Sequence, residues 1–290
     1  MRARRSCLSV PASSPRMLAK AGDLPADELV LDLEDSVLPE AKEEARAALL
    51  AALSEGVGGR TVSVRINAVG TPWCDRDVVA LAETGAPGLD CLTVPKVESP
   101  GEIEFVDRLL GMAEQRSGAS RPIGLEALIE TAAGLARAAE IARASPRLEA
   151  LILGFADLSA SLGLPPDAAG GGDRWHFARG TVLVAARAAG LQAIDGPYLR
   201  VDDGAGLSAA AELARELGYD GKWAIHPSQL EPLNELFSPS SEELERARAV
   251  VDALERAGGG AIALDGEMID EASAKRARQV VARAEAAGPG

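Results

Sequence analysis

The residues best suited to chemistry in this chain are carboxylates, and each follows a short apolar run. Asp32, Glu34 and Asp35 follow one such run, Glu130 another and Asp157 a third, while Arg65 and Asn67 follow a fourth and Lys96 and Glu98 a fifth. Asp195 and His226 close two more. The sequence holds only 2 histidines and 3 widely separated cysteines, Cys7, Cys74 and Cys91, so neither a zinc site nor a disulfide framework fits. Carboxylates that converge without histidine or cysteine suit a hard cation with oxygen ligands, Mg2+ or Mn2+ before Zn2+. Magnesium takes one or two carboxylates and leaves its other positions to water and substrate oxygens, so Glu130 and Asp157 suffice. A cation held in that way can grip a bidentate 2-oxo or 2-hydroxy acid. The competing reading makes both of them solvated charges at strand ends.

Eight apolar runs carry these residues: Ser6–Val10, Glu28–Leu33, Thr61–Ile66, Asp90–Val94, Pro122–Ile129, Ala150–Leu153, Leu191–Ile194 and Lys222–Ile225. Each gap between them holds a stretch of helical periodicity, such as Pro39–Leu53, Gly134–Ala144 or Arg174–Ala189. Ser99-Pro100 with Glu102 marks a helix start, and Gly190 a helix stop. Eight β-α units predict a parallel (β/α)8 TIM barrel over residues 1–236, whose active site lies at the C-terminal ends of the strands. An open doubly wound sheet would want a glycine-rich loop after its first strand, where this chain has Val10-Pro11-Ala12-Ser13-Ser14. Residues 237–290 read as a C-terminal helical extension: a charged helix over Ser241–Ala257, three glycines, the short segment Ala261–Asp270 and a last helix over Glu271–Ala287. The glycines read as a hinge that lets the short segment be carried away from its own barrel.

Composition excludes several classes. Against 44 Asp and Glu stand 30 Lys and Arg, a formal charge of −14, which disfavours binding nucleic acid through a basic surface. Aromatic residues make up 3% of the chain, so aliphatic side chains must fill the core and stacking platforms are not expected. The basic start Met1-Arg2-Ala3-Arg4-Arg5 is followed by an apolar stretch that stops at Pro11, which does not make an export signal. No window approaches the ~20 apolar residues that cross a bilayer. The expectation is a soluble, cytoplasmic protein without membrane partners.

A series of motifs in order adds a resemblance. It comprises Arg5-Ser6-x-Leu8-x-Val10-Pro11, Leu31-Asp32-Leu33-Glu34-Asp35-Ser36-Val37, Val64-Arg65-Ile66-Asn67, Val94-Pro95-Lys96-Val97-Glu98, Leu128-Ile129-Glu130-Thr131, Gly154-Phe155-Ala156-Asp157-Leu158, Ala224-Ile225-His226-Pro227 and Gly266-Glu267-Met268-Ile269-Asp270. Together they resemble the HpcH/HpaI aldolase and citrate lyase beta subunit family, in its citrate-lyase-beta-like branch, over nearly the whole chain. The resemblance implies a Mg2+-dependent carbon-carbon lyase acting on a 3-hydroxyacyl-CoA such as malyl-CoA or citramalyl-CoA, with a 2-oxo acid and an acyl-CoA as products. It places Glu130 and Asp157 as metal ligands, Arg65 as the active-site arginine, and Glu34 and Asp35 as the acidic motif behind the metal. Asp270 matches a lid aspartate that closes over a neighbouring subunit, within a homotrimer or a hexamer. Arg5, Arg16, Lys20 and Lys96 are candidates for the CoA phosphates or the thioester pocket. His226 suits a structural or CoA-backbone contact, and Asp195 either orients a substrate group or caps a turn.

The chain departs from the family pattern twice. Leu153-Gly154-Phe155-Ala156-Asp157 stands where Phe-Gly-Ala-x-Asp is common, and Asp270 lacks the proline that often follows two residues later. Alternatives within the resemblance are a malyl-CoA thioesterase and a citrate lyase beta subunit that needs an acyl-carrier partner. An HpaI-type aldolase on free 2-oxo acids would want an early histidine, and both histidines here come late.

Overall fold

In the computed structural model the described residues are 2–57, 60–85, 88–119, 121–165, 172–258, 260–264 and 266–287. Eight strands alternate with helices: β1 (Ser6–Pro11), β2 (Glu28–Asp32), β3 (Thr61–Arg65), β4 (Cys91–Val94), β5 (Gly124–Ile129), β6 (Leu148–Leu153), β7 (Gln192–Asp195) and β8 (Gly221–Ala224). They are parallel and closed, β1 pairing β8 through Ser6 opposite Lys222, so the expected (β/α)8 barrel is the observed fold. The intervening helices are α1 (Pro15–Ala21), α2 (Lys42–Glu55), α3 (Cys74–Glu83), α4 (Pro100–Ser117), α5 (Ala132–Ala136), α6 (Ala138–Ile141), α7 (Phe155–Ser161), α8 (His176–Ala188), α9 (Gly204–Leu217) and α10 (Leu230–Phe237). The helix expected over Gly134–Ala144 is two short ones, separated at Arg137, whose φ of −111° leaves the helical range.

Side chains alternate across a strand, so every second residue of β2 and β5 enters the barrel. Glu28, Val30 and Asp32 on β2 match Glu126, Leu128 and Glu130 at β5, which gives the interior three levels. At the base Arg4 is buried between Glu28 at 2.7 Å and Glu126 at 2.8 Å. Burial pushes the Glu28 carboxyl up, and the neighbouring Glu126 charge adds to the effect. The middle is an apolar plug of Cys7, Val30, Leu128, Ala150, Ile152, Ile194 and Trp223. The plug isolates the base from the upper level, where Asp32, Arg65 and Glu130 stand.

The described chain divides into two compact units, Arg4–Asn234 and a second formed by Glu235–Gly290 with Met1–Ala3. In the second unit α11 (Ser241–Arg256) starts at a capping box: Ser240 Oγ accepts the Glu243 N–H, and Glu243 accepts the Ser240 N–H. The short segment expected over Ala261–Asp270 contains an antiparallel hairpin, β9 (Ile262–Leu264) and β10 (Glu267–Ile269), followed by α12 (Glu271–Ala287). Ile269 of the hairpin packs with Ala247, Val250, Leu254, Ala274 and Ala277 between the two helices. No helix among the described residues is long and apolar enough to cross a membrane.

Candidate active site

Arg65 ends β3, and the strand register places it directly opposite Asp32 of β2. The pair is bidentate, Nε and Nη2 each donating to one Asp32 oxygen at 2.7 Å. Nη1 lies 3.1 Å from Glu34 Oε2, and the guanidinium stands over the Trp223 ring, 5.9 Å from its centroid. Burial works against the Arg65 charge, but the hydrogen bonds and charge of Asp32, then Glu34 and Glu130, outweigh it and raise its pKa. Two of the five N–H groups are bonded to Asp32, and the contact of Nη1 with Glu34 Oε2 is an ion pair without a hydrogen bond, so Nη1 still has N–H groups to offer a ligand oxygen.

Asp32 is in turn braced by the Glu34 N–H at 2.8 Å and the Ser36 N–H at 3.2 Å. Its carboxyl is held below its usual value: burial opposes ionisation, and the Arg65 hydrogen bonds and charge prevail. The strand-end pattern includes Asp32 but gives it no role, which the pairing with Arg65 supplies. The alternation Glu28-Val30-Asp32 carries the signal, since it points Asp32 into the barrel beside the arginine.

Glu130 follows β5 and is buried at 3% exposure. Burial, reinforced by the charges of Glu34 and Asp157, pushes its carboxyl up to about 8. Its Oε1 accepts the Lys96 main-chain N–H at 2.8 Å. Gly154 sits against its other side: a Cβ there would lie 2.6 Å from Glu130 Cβ and 2.7 Å from Oε2, so only glycine leaves the carboxylate in this place. Asp157 lies in the first turn of α7, half-buried, where the helix N-terminus favours a carboxylate. Repulsion among Glu130, Asp157 and Glu34 is the electrostatic condition that a divalent cation relieves. Glu130 and Asp157 therefore fit a magnesium ion by donor type and charge. No group of three or more His, Cys, Asp or Glu among the described residues is arranged around a metal position, so water and substrate oxygens would supply the remaining ligands.

Lys96 follows β4 with its ammonium on acidic neighbours, Glu34 Oε1 at 2.5 Å and both Asp35 oxygens at 2.9 Å. These contacts strengthen its charge against the opposing effect of burial. Glu34 is itself raised, because burial outweighs the help of Arg65 and Lys96. Lys96 thus occupies the carboxylate cluster, and its ammonium is engaged there instead of being offered to a phosphate.

The other predicted positions divide. Arg16 and Lys20 lie one turn apart on α1, both exposed, above the C-terminal end of β1. Arg5 precedes β1 and so lies at the opposite end of the barrel, paired with Asp27 at 2.7 Å; strand polarity corrects its assignment to a CoA pocket. Asp195 is fully buried between Arg179 at 2.9 Å and Lys222 at 2.5 Å. Its carboxylate is consumed by two buried cations, which corrects the substrate-orienting role. His226 caps the 3₁₀ turn Pro227–Gln229, its ring accepting the Ser228 N–H, a structural contact. Asp270 lies in the second unit, exposed at the start of α12, where the Ser273 N–H at 3.0 Å holds its carboxyl below the usual range.

An eight-stranded parallel barrel with an arginine, a lysine and converging carboxylates at the strand ends defines an oxyacid-handling enzyme architecture. The chain belongs to the HpcH/HpaI aldolase/citrate lyase family, whose profile matches residues 5–227. Among its relatives is the L-malyl-CoA/beta-methylmalyl-CoA lyase of Cereibacter sphaeroides, 39% identical over 303 residues, with 98% of this chain and 95% of the relative covered. The (3S)-malyl-CoA thioesterase of the same organism is also 39% identical, over 288 residues, covering 97% of this chain and 95% of the relative. Among solved structures, protein CitE from Mycobacterium tuberculosis in complex with magnesium, acetoacetate and coenzyme A is 34% identical, with 97% of both chains covered and a TM-score of 0.74.

Proposed function

We propose that the protein is a Mg2+-dependent carbon-carbon lyase that cleaves a 3-hydroxyacyl-CoA of the malyl-CoA or citramalyl-CoA type into a 2-oxo acid and an acyl-CoA. The observation that carries the reading is the division of charge at the strand ends, where Glu130 and Asp157 crowd one another beside an arginine that Asp32 holds in place. Glu130 and Asp157 would hold the ion, which when bound supplies Lewis acidity toward the carboxylate and hydroxyl or carbonyl oxygens of the acid. Arg65, fixed by Asp32, offers its remaining N–H groups to the thioester oxygen, on which enolate charge develops as the bond breaks. Because Asp32 and Glu34 already hold the guanidinium, no reorganisation is needed when that charge appears.

Asp270 is the group we assign to proton transfer, delivered by the hairpin and α12 from a neighbouring copy. Closure of that segment would keep bulk water from the enolate. The assembly in this reading is a homotrimer or hexamer in the cytoplasm, with residues 237–290 forming the extension that packs on the next subunit. Arg16 and Lys20, exposed on α1, would meet the phosphates of CoA in this reading.

The near-equal identity to a lyase and to a thioesterase supports one second reading, thioester hydrolysis at the same site. The test is purified protein with Mg2+, acetyl-CoA or propionyl-CoA, and glyoxylate or pyruvate, with acyl-CoA products read by mass spectrometry. A metal-dependent condensation product that disappears in Glu130→Ala and Asp270→Ala supports the lyase. Free CoA from malyl-CoA with intact malate, and no condensation, replaces it with the thioesterase. Absence of turnover except with added carrier subunits overturns both.

A further inference from the structure

Lys96 is the only non-glycine residue with positive φ among the described residues, at 51°. The left-handed region is unfavourable for a side chain of this kind, so the surroundings must hold it there. They do so from two sides. The next residue donates its N–H to Leu128 O on β5 at 3.3 Å, and Gly134 of α5 lies so close to the Val97 carbonyl that a Cβ would collide with it. In this conformation the Lys96 N–H meets Glu130 Oε1 while its side chain turns toward Glu34 and Asp35.

We propose that Lys96 is a positioning residue that sorts the carboxylates of the site into two sets. Its main chain fixes one oxygen of Glu130, which leaves the other on the side of Gly154 for a divalent cation. Its ammonium takes Glu34 and Asp35, so that Glu34 serves Arg65 and stays out of the cation's ligand set. Five carboxylates, Asp32, Glu34, Asp35, Glu130 and Asp157, stand with two cations, Arg65 and Lys96. Without the sorting, a divalent ion would meet four acidic side chains beside Arg65 in place of two, and the positions owed to substrate oxygens would be filled by protein. The inference rests on the metal-dependent reading above, and the experiment separates the two.

Mn2+ binding to the substrate-free protein, by electron paramagnetic resonance at pH 8, is the primary readout, with lyase turnover as the second. Lys96→Met keeps the aliphatic stem and removes the charge. It is expected to bind Mn2+ about three- to tenfold more tightly, since unneutralised acids now face the ion, while turnover falls by at least tenfold. Lys96→Gly keeps the N–H and adopts the left-handed conformation without strain, and should match Lys96→Met in Mn2+ affinity. Lys96→Val resists positive φ, withdraws the N–H from Glu130, and should bind Mn2+ more weakly than Lys96→Met. Lys96→Arg should restore wild-type affinity. A merely structural lysine predicts that every variant weakens Mn2+ binding in step with its loss of thermal stability. Weaker binding in Lys96→Met or Lys96→Gly, with unfolding temperature unchanged, also overturns the proposal. Failure of Glu130→Ala to reduce Mn2+ binding would instead overturn the metal-site reading on which it stands.

Discussion

Gly154→Ala tests whether the metal-side geometry is set by one missing methyl group. The added Cβ would lie 2.6 Å from Glu130 Cβ and 2.7 Å from Oε2, distances that non-bonded carbons and oxygens do not tolerate. Gly154 cannot easily retreat, because its N–H is bonded to Ile129 O at 3.0 Å in the continuation of the β5–β6 ladder. Glu130 cannot easily retreat either, since its Oε1 is held by the Lys96 N–H and its body is buried. Overpacking of this kind costs about 1–3 kcal/mol, and a displaced ligand shell weakens a metal by roughly 10–100-fold. Both numbers are measurable in one sample: thermal unfolding without metal, and Mg2+ affinity by calorimetry. The expected result is a Tm lowered by a few degrees and Mg2+ binding weakened by at least tenfold. Unchanged Mg2+ affinity in a folded Gly154→Ala protein would refute the claim that Gly154 presents Glu130 to the cation.

Other consequences are open to direct measurement. Because burial and like charge raise Glu130 to about 8, Mg2+ must displace a proton below that pH; affinity should rise roughly tenfold per unit up to pH 8 and then level, with proton release visible in buffers of different ionisation enthalpy. The same raised value means that the metal-free protein loses this contribution to stability as pH climbs from about 4.5 through 8, so protection by Mg2+ should be largest at alkaline pH. Asp32 has the opposite sign: its lowered carboxyl stabilises the protein above its unfolded pKa and stops doing so as acid protonates it, so the stability gap between wild type and Asp32→Asn should close below about pH 4. Asp195→Asn should destabilise by about 3–5 kcal/mol, because it leaves Arg179 and Lys222 buried without their carboxylate; a normal Tm with a raised KM would restore a substrate role for this residue. Asp270→Ala should lose turnover with only a small fall in Tm from the lost helix cap, and co-assembly with Glu130→Ala should recover part of the activity if the aspartate acts on a neighbouring copy.

The barrel was legible because its signals are local. Buried parallel strands are short apolar runs, eight of them alternate with helical periodicity, and the observed strands begin and end within about two residues of those runs. The strand-end rule then collects Arg65, Lys96, Glu130 and Asp157 from sequence alone and offers the last two to a hard cation, and the resemblance implies the same ligand assignment. What each charge does there depends on register and polarity, which are properties of the closed sheet. The pairing of β2 with β3 sets Asp32 against Arg65 and makes the arginine a fixed donor. Strand polarity sends Arg5 to the base, and packing of α8 against the barrel together with the β7–β8 register gives Asp195 to Arg179 and Lys222. The left-handed turn at Lys96 and the close approach of Gly154 to Glu130 have no signature in residue type, because both are imposed by neighbours contributed from other elements of the barrel. Sequence decided which groups reach the mouth of the barrel, since that follows from alternation and length. Tertiary structure decided which of them are neutralised by one another and which are left for a ligand, since that follows from distances across the sheet.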